Sequence, residues 1–408
     1  MHLLIYSSVN PFLEGSGQIQ RVYNSLLALA KEWDNITLVT INKNSSKQNR
    51  IDEVLAINPF VKTVYLAYPF RLRILSQFFK ILPYLGFGKL SNWELPVIFN
   101  QFKPNENETV DAVLFEYWHL YKLARKYKRQ GIPVFCDTHN ILLGSFKEYI
   151  AEQSYFPSFY KNYLIRRYEN LEFNIALSLS FDVIIAINKE EEKVYTSKFP
   201  KKRILYAPMG ITFPVKQHLI KSNASKKIHR FVYYGGLSNY RNVQAAIQVY
   251  TSLQAISGLD FTYTIVGSSP STELIQLTAK DPRAKVTGFV EHLESVLQGH
   301  TLAIIPFEGK FGFRSRIIEL MYYGIPVLTK EDGVWGMGFK NGIDILLFKT
   351  SEQLVNSIDQ AIKDPKQLAC IALQAQYKVE QEFSFEATYQ KLAKEIKQSY
   401  HEITGILT

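Results

Sequence analysis

In the run Phe311–Thr329, FGFRSRIIELMYYGIPVLT, a loop holding Gly312 and Phe313 leads into Arg314 and Arg316, and Glu319 follows three residues after Arg316. The apolar spacing predicts a helix over 315–323, with the arginines in its first turn and Glu319 on roughly the face of Arg316. A helix N-terminus presents unpaired N–H groups and a partial positive charge, and guanidinium forks add charge-assisted donors. Phosphate suits such a place. A carboxylate one turn further on can accept both hydroxyls of a ribose. The chemistry expected here is therefore capture of a nucleoside diphosphate. The same residues also make an ordinary exposed helix: Arg316 and Glu319 as an i,i+3 pair are worth about a few tenths of a kcal/mol, and an early Glu suits the helix dipole.

These residues must be held by a larger framework. Leu3–Ser7 reads as a buried strand, followed by a loop with Gly15 and Gly17 and then by apolar residues at helical spacing from Ile19 to Ala30. Further strand-like runs are Ile36–Ile41, Val61–Tyr68, Val110–Phe115, Ile132–Asp137 and Asp182–Ile187. Strands alternating with helices imply βαβ units and a parallel sheet. The stretch 207–228, with Pro208, Gly210, Pro214 and the polar run SNASKK, reads as a linker. The pattern then restarts with strands Phe231–Tyr234, Phe261–Val266, Val286–Val290, Leu302–Pro306 and Pro326–Thr329, and a helix from about Asn242. The expectation is α/β: two Rossmann-like, doubly wound parallel-sheet domains facing a central cleft, with ligands at the carboxyl ends of strands. The expected divisions are 1–206, the linker 207–228, a second domain 229–383, and a final helix 384–408.

The 311–329 segment resembles the donor-binding motif of the family 4 glycosyltransferases, retaining enzymes of GT-B fold. It is similar to the branch whose motif runs Gly-x-x-Arg-x-Lys/Arg-Ile-x-Glu, on Gly312, Arg314, Arg316, Ile317 and Glu319, followed by Gly324-Ile325-Pro326-Val327. Gly333-Val334-Trp335-Gly336 resembles the Gly-rich loop that comes next in this branch. Other landmarks in order are Pro208-Met209-Gly210-Ile211, the Gly236 turn, Ile265-Val266-Gly267 and Val286–Val290. The Phe383–Phe385 segment resembles the start of a last helix that crosses back to the first domain. The resemblance implies metal-independent transfer of a sugar from a UDP- or GDP-linked donor to a glycan or lipid-linked acceptor, without a further cofactor. It implies donor contacts from Gly15, Gly17, Gly236, Arg241, Gly312, Phe313, Arg314, Arg316 and Glu319. The Gly15–Gly17 loop is equally an ordinary strand-to-helix turn. His139, in Cys136-Asp137-Thr138-His139-Asn140, resembles a His-Asn pair at the cleft edge, where it would hold the acceptor or assist proton transfer. Apart from the resemblance, His119, after Glu116-Tyr117-Trp118, is a second candidate for the acceptor side, though a lone His is more often structural. The wider family has two glutamates eight residues apart; the first falls on Phe311 here. Leu237 stands where many members carry Arg, so Arg314 and Arg316 are expected to supply the positive charge.

The sequence has no Asp-x-Asp and no recognisable His/Cys/carboxylate metal motif, so no metal site is expected. Cys136 and Cys370 form no disulfide framework. With no signal peptide and no run of 18 apolar residues, a cytoplasmic location is expected. The formal charge of +10 favours anionic partners. Phe70–Leu90 mixes Arg71, Arg73, Lys80 and Lys89 with Phe, Leu and Ile and holds no acid, which suits an anionic membrane surface; a basic-ended helix packed on the sheet fits the same residues. If it docks, the protein is peripheral on the inner membrane face. No nucleic-acid-binding module is present. The other readings of the chain are a non-catalytic relative that binds nucleotide sugar or a partner enzyme, a basic nucleic-acid binder, and an epimerase of the same fold.

Overall fold

The computed structural model describes residues 1–41, 46–67, 94–105, 108–212, 228–290, 292–310 and 312–406. The whole Phe70–Leu90 segment, Phe311 and most of the expected linker lie outside the described residues. Two compact units result: Met1–Gly210 with Phe385–Thr408, and Ile211–Ser384.

The first unit is built on seven parallel strands: β1 His2–Ser7, β2 Asn35–Ile41, β3 Val61–Leu66, β4 Ala112–Glu116, β5 Val134–Asp137, β6 Val183–Ala186 and β7 Arg203–Tyr206. Their order is β3-β2-β1-β4-β5-β6-β7, so the direction of winding reverses between β1 and β4. Side chains alternate across each strand. Leu3 and Ile5 enter one hydrophobic layer with Leu114 and Phe135, while Leu4 and Tyr6 enter the opposite one with Phe115 and Cys136. Both faces are covered, which is why these strands read as near-continuous apolar runs. The Gly17–Glu32 helix buries Val22, Tyr23, Leu26, Leu27, Leu29 and Ala30, the face its spacing foretold. The chain's last helix, Lys391–Thr404, packs beside it, with Leu392, Ile396 and Tyr400 in the same layer and Tyr400 edge-on to Trp33 at 5.5 Å.

The second unit has six parallel strands: β8 His229–Tyr234, β9 Phe261–Val266, β10 Ala284–Gly288, β11 Leu302–Ile305, β12 Val327–Lys330 and β13 Leu346–Phe348. The order β10-β9-β8-β11-β12-β13 reverses between β8 and β11. The helix after β8 begins at Tyr240, with Asn239 capping the N–H of Arg241 at 2.9 Å.

Several expected bounds shift by a residue or two: the fourth strand begins at Ala112 rather than Val110, and the strand expected over 286–290 spans Ala284–Gly288. The short strands β7 and β13 have no counterpart in the sequence reading. Both lie at sheet edges. Four residues and three residues are too few to show a period of two. Among the described residues no helix is long and apolar enough to cross a membrane.

Candidate functional site

In the second unit the helix Ser315–Tyr322 starts after β11 and packs by Ile317, Ile318, Leu320 and Met321 into the core, which leaves Arg316 and Glu319 toward the end of β8. Arg314 stands at the N-cap position rather than inside the helix. Arg316 Nη1 donates long hydrogen bonds to the Tyr234 carbonyl (3.4 Å) and to Asn242 Oδ1 (3.3 Å). Asn242 Nδ2 in turn donates to the Gly236 carbonyl at 2.8 Å. Glu319 interacts with the Tyr234 hydroxyl and Ser315. Burial pushes its carboxyl above the ordinary value, and the hydrogen bonds from Tyr234 and Ser315 and the Arg316 charge only partly offset this. The exposed i,i+3 ion pair is therefore not what forms: both side chains reach across to the ends of other elements. The Arg314 guanidinium lies over the Phe307 ring, 3.5 Å from its centroid, a close cation–π contact.

Glycines set the close approaches here. A Cβ on Gly235 would run into the Arg316 guanidinium, and one on Gly267 into the Gly235 carbonyl, whereas one on Gly236 would meet nothing within 4 Å. Gly312 has φ 66°, which favours glycine. It stands two residues before Arg314, one nearer than the glycine of the resembled motif, whose place falls on Phe311. Phe313 packs its ring on Phe383 at 5.8 Å, so it serves the unit's own packing. Arg241 is exposed in the first turn of its helix. The cluster thus gathers Arg316, Glu319, Tyr234, Asn242 and the two glycines after β8, at the point where the sheet's winding reverses. Open α/β sheets bind ligands at such points. Tyr234, Asn242 and Tyr233, whose hydroxyl takes a hydrogen bond from Arg316, were missed from the sequence; a strand end followed by Gly-Gly was the available signal.

In the first unit a second polar cluster forms at the carboxyl ends of β4 and β5, which are in register with Glu116 opposite Asp137. His139 Nε2 lies 2.5 Å from Glu116 Oε2, both side chains almost fully buried. Its backbone N–H donates to Asp137 Oδ1 at 3.1 Å. Arg21, from the Gly17–Glu32 helix, holds Asp137 with both Nε (2.8 Å) and Nη2 (3.1 Å), and donates from Nη1 to the Ala207 carbonyl at 2.9 Å. Burial pushes the Asp137 carboxyl up, but the Arg21 charge, helped by His139, outweighs it and leaves the group below its ordinary value. Burial likewise raises Glu116, with Asp137 adding to it and His139 and Arg21 opposing. The sequence reading found no His/carboxylate cluster; Glu116, Asp137 and His139 form one, with ligand atoms within 4.8 Å of one another. Positions 116, 137 and 139 meet only because adjacent parallel strands end side by side. Asp137 is already committed to a buried guanidinium, so the donor set suits an internal ion-pair network better than a cation.

His119 stacks edge-on to Tyr117 at 5.7 Å, and burial pushes its imidazole down to about 4. It is neutral near pH 7. Gly15 is exposed with φ 131°, and Gly17 is the first residue of its helix.

The family model described as Glycosyl transferases group 1 matches residues 228–364, the stretch that holds β8 and the Ser315–Tyr322 helix. No curated protein matches the sequence. Among solved structures the chain is similar to sucrose-phosphate synthase from Thermosynechococcus elongatus, at TM-score 0.67 and 16% identity over 100% of both chains. It is similar to Anabaena Alr3699/HepE in complex with UDP and glucose, at TM-score 0.65 and 17% identity over 98% of this chain and 100% of that one. It is also similar to WaaG, a glycosyltransferase involved in lipopolysaccharide biosynthesis, at TM-score 0.63 and 12% identity over 97% and 99%. At these identities the likeness is one of fold. The fold is GT-B, and its second unit carries the group 1 glycosyl transferase signature over residues 228–364.

Proposed function

We propose that the protein is a glycosyltransferase of the family 4 type, moving a hexosyl or related sugar from a UDP- or GDP-linked donor to a glycan or lipid-linked acceptor, with retention and without a metal. The observation that carries this reading is the cluster at the end of β8. Arg316 reaches the Tyr234 carbonyl and Asn242, Glu319 sits against Tyr234, and all four lie inside the matched stretch. The HepE complexes with UDP and with UDP-glucose support a nucleotide-sugar donor for this fold. Glu319 accepts the ribose hydroxyls, and Arg316 with Arg314 takes up the charge that develops on the diphosphate as the anomeric C–O bond breaks. The acceptor oxygen then attacks the face the diphosphate leaves. Gly236, with open space where a Cβ would lie, lets backbone approach the phosphates. His139 and His119 serve the acceptor side. Surface polysaccharide or glycoconjugate synthesis in the cytoplasm, with residues 70–90 on an anionic membrane, completes the proposal; flotation with anionic liposomes at low salt tests that last part, and absence of binding overturns it.

Titration calorimetry with UDP and GDP, with and without EDTA, tests the core. The expected result is micromolar binding of one nucleotide, indifferent to EDTA. Arg316→Ala and Glu319→Ala are each expected to cost about 2 kcal/mol, the scale of a charge-assisted hydrogen bond. Binding of neither nucleotide would sink the reading.

A further inference from the structure

The polar cluster of the first unit contains more order than holding a single histidine requires. Arg21 and Asp137 satisfy each other through two hydrogen bonds, with side chains 1% and 2% exposed. That leaves Glu116 and His139 to one another. His139 is fixed at three points: its backbone N–H donates to Asp137 Oδ1, its ring Nε2 lies 2.5 Å from Glu116 Oε2, and its ring stacks on Tyr117 at 4.2 Å and 11°. The remaining ring nitrogen, Nδ1, has no hydrogen-bond partner among the described residues.

Two further observations concern this residue and its neighbours. Only three non-glycine residues among those described have positive φ, and two of them are the stacked pair, Tyr117 at 72° and His139 at 57°. Backbone of this kind persists where the surroundings over-determine it, and it gathers at ligand sites. In addition, Tyr117 Oη, His119 Nδ1 and Asn140 Oδ1 are buried with no hydrogen-bond partner among the described residues. Buried polar atoms in native proteins are almost always satisfied, by water or a ligand where not by the chain itself. A hydroxyl-bearing molecule, able both to donate and to accept, matches such a set.

We infer that Glu116 is a positioning residue. Its carboxylate accepts the Nε2 proton of His139 and so fixes the imidazole as the tautomer whose bare Nδ1 accepts a hydrogen bond from a sugar hydroxyl. The identity of that ligand rests on the glycosyltransferase reading; the tautomer does not. Which ring nitrogen carries the proton is set by the bond its other nitrogen makes, and a charged acceptor makes the stronger bond. In Glu116→Gln the charge is gone and the amide can turn its N–H toward Nε2, which releases the opposite tautomer.

The test is 15N NMR of the full chain labelled at histidine, at pH 8, with the His139 signals assigned by their loss in His139→Gln. The expected spectrum shows a protonated Nε2 and a bare Nδ1, shifting to a mixture or to Nδ1–H in Glu116→Gln and returning in Glu116→Asp. A wild-type Nδ1–H form, both nitrogens protonated, or an unchanged tautomer in Glu116→Gln would overturn the inference. Should Glu116→Gln fail to fold, the wild-type and Glu116→Asp spectra decide alone. The kinetic arm measures sugar transfer. Glu116→Gln should lower kcat about 10²-fold, within the range for losing a correctly presented base or hydrogen-bonding group, with the nucleotide KM unchanged. A tautomer that shifts with no change in kcat would overturn the positioning role. A chain that transfers no sugar but shows the expected tautomer refutes the functional reading and leaves the Glu116–His139 assignment standing.

Discussion

Gly235 and Arg316 limit each other. The guanidinium lies where a Cβ on Gly235 would stand, so the glycine is what lets the charge come against the end of β8. Gly235→Ala should push Arg316 off the Tyr234 carbonyl and, on the proposed donor reading, weaken nucleotide binding about tenfold, with thermal stability changed little because a long flexible side chain can yield. Gly267→Ala meets the Gly235 carbonyl instead, and backbone cannot yield so readily. It should cost about 2 kcal/mol of stability, the scale of overpacking, measurable by urea denaturation. Equal stability losses in the two variants would contradict this account. Arg316 and Glu319 were legible as neighbours because they share one helix start, whereas Arg314, grouped with them in the sequence, lies over the Phe307 ring. Arg21, Glu116 and Asp137 were not legible as a group. They come from a helix and two strand ends, and no local spacing announces a contact between positions 21 and 137.

Among the elements, the Leu142–Glu152 helix that follows His139 depends on Glu172. That carboxylate, fully buried in the π-helical stretch Asn170–Leu177, accepts the N–H groups of Leu142 and Leu143 at 2.8 Å each and Trp118 Nε1 at 3.2 Å. Burial nevertheless pushes it up to about 7. Between the unfolded value near 4.3 and about 7, the folded chain keeps a proton the unfolded chain has lost. Stability therefore falls as pH rises through this window, by about 2–3 kcal/mol from this group. In Glu172→Gln that fall between pH 5 and pH 8 should shrink by about 2 kcal/mol, read by urea denaturation at the two values. An identical fall in both proteins would refute the assignment. His119 works from the other side: its lowered value of about 4 removes stability as pH drops below about 6.5. The strands of the sheet interiors were readable because both faces are covered and their runs are apolar. The edge strands β7 and β13 were not, since three or four residues carry no period and only their pairing to β6 and β12 defines them.

On the scale of the whole molecule, the chain leaves the first unit after Gly210 and re-enters it at Phe385. The Ile211 N–H donates to the Phe383 carbonyl at 2.8 Å, so the outgoing and returning strands are joined at that point. The alternation of strands and helices made both sheets legible, and the aromatic run at 383–385 marked the turn back. The layer the last helix completes was not, because Leu392, Ile396 and Tyr400 find their partners nearly the full chain length away. Truncation after Ser384 should destabilise the first unit by several kcal/mol, in line with exposing buried Leu, Ile and Tyr side chains, while the second unit's unfolding transition stays in place. Scanning calorimetry of the truncated chain checks this; loss of both transitions together would refute it.

The second unit is thus an insertion in the first, and this fixes an order of birth. When a ribosome has released residue 384, the chain holds everything the later-made sheet needs and still lacks the helix that closes the earlier one. The unit begun second is finished first. The half begun first must wait, one apolar layer uncovered, until the Lys391–Thr404 helix has been made, and an exposed layer of that kind invites aggregation in the newborn chain.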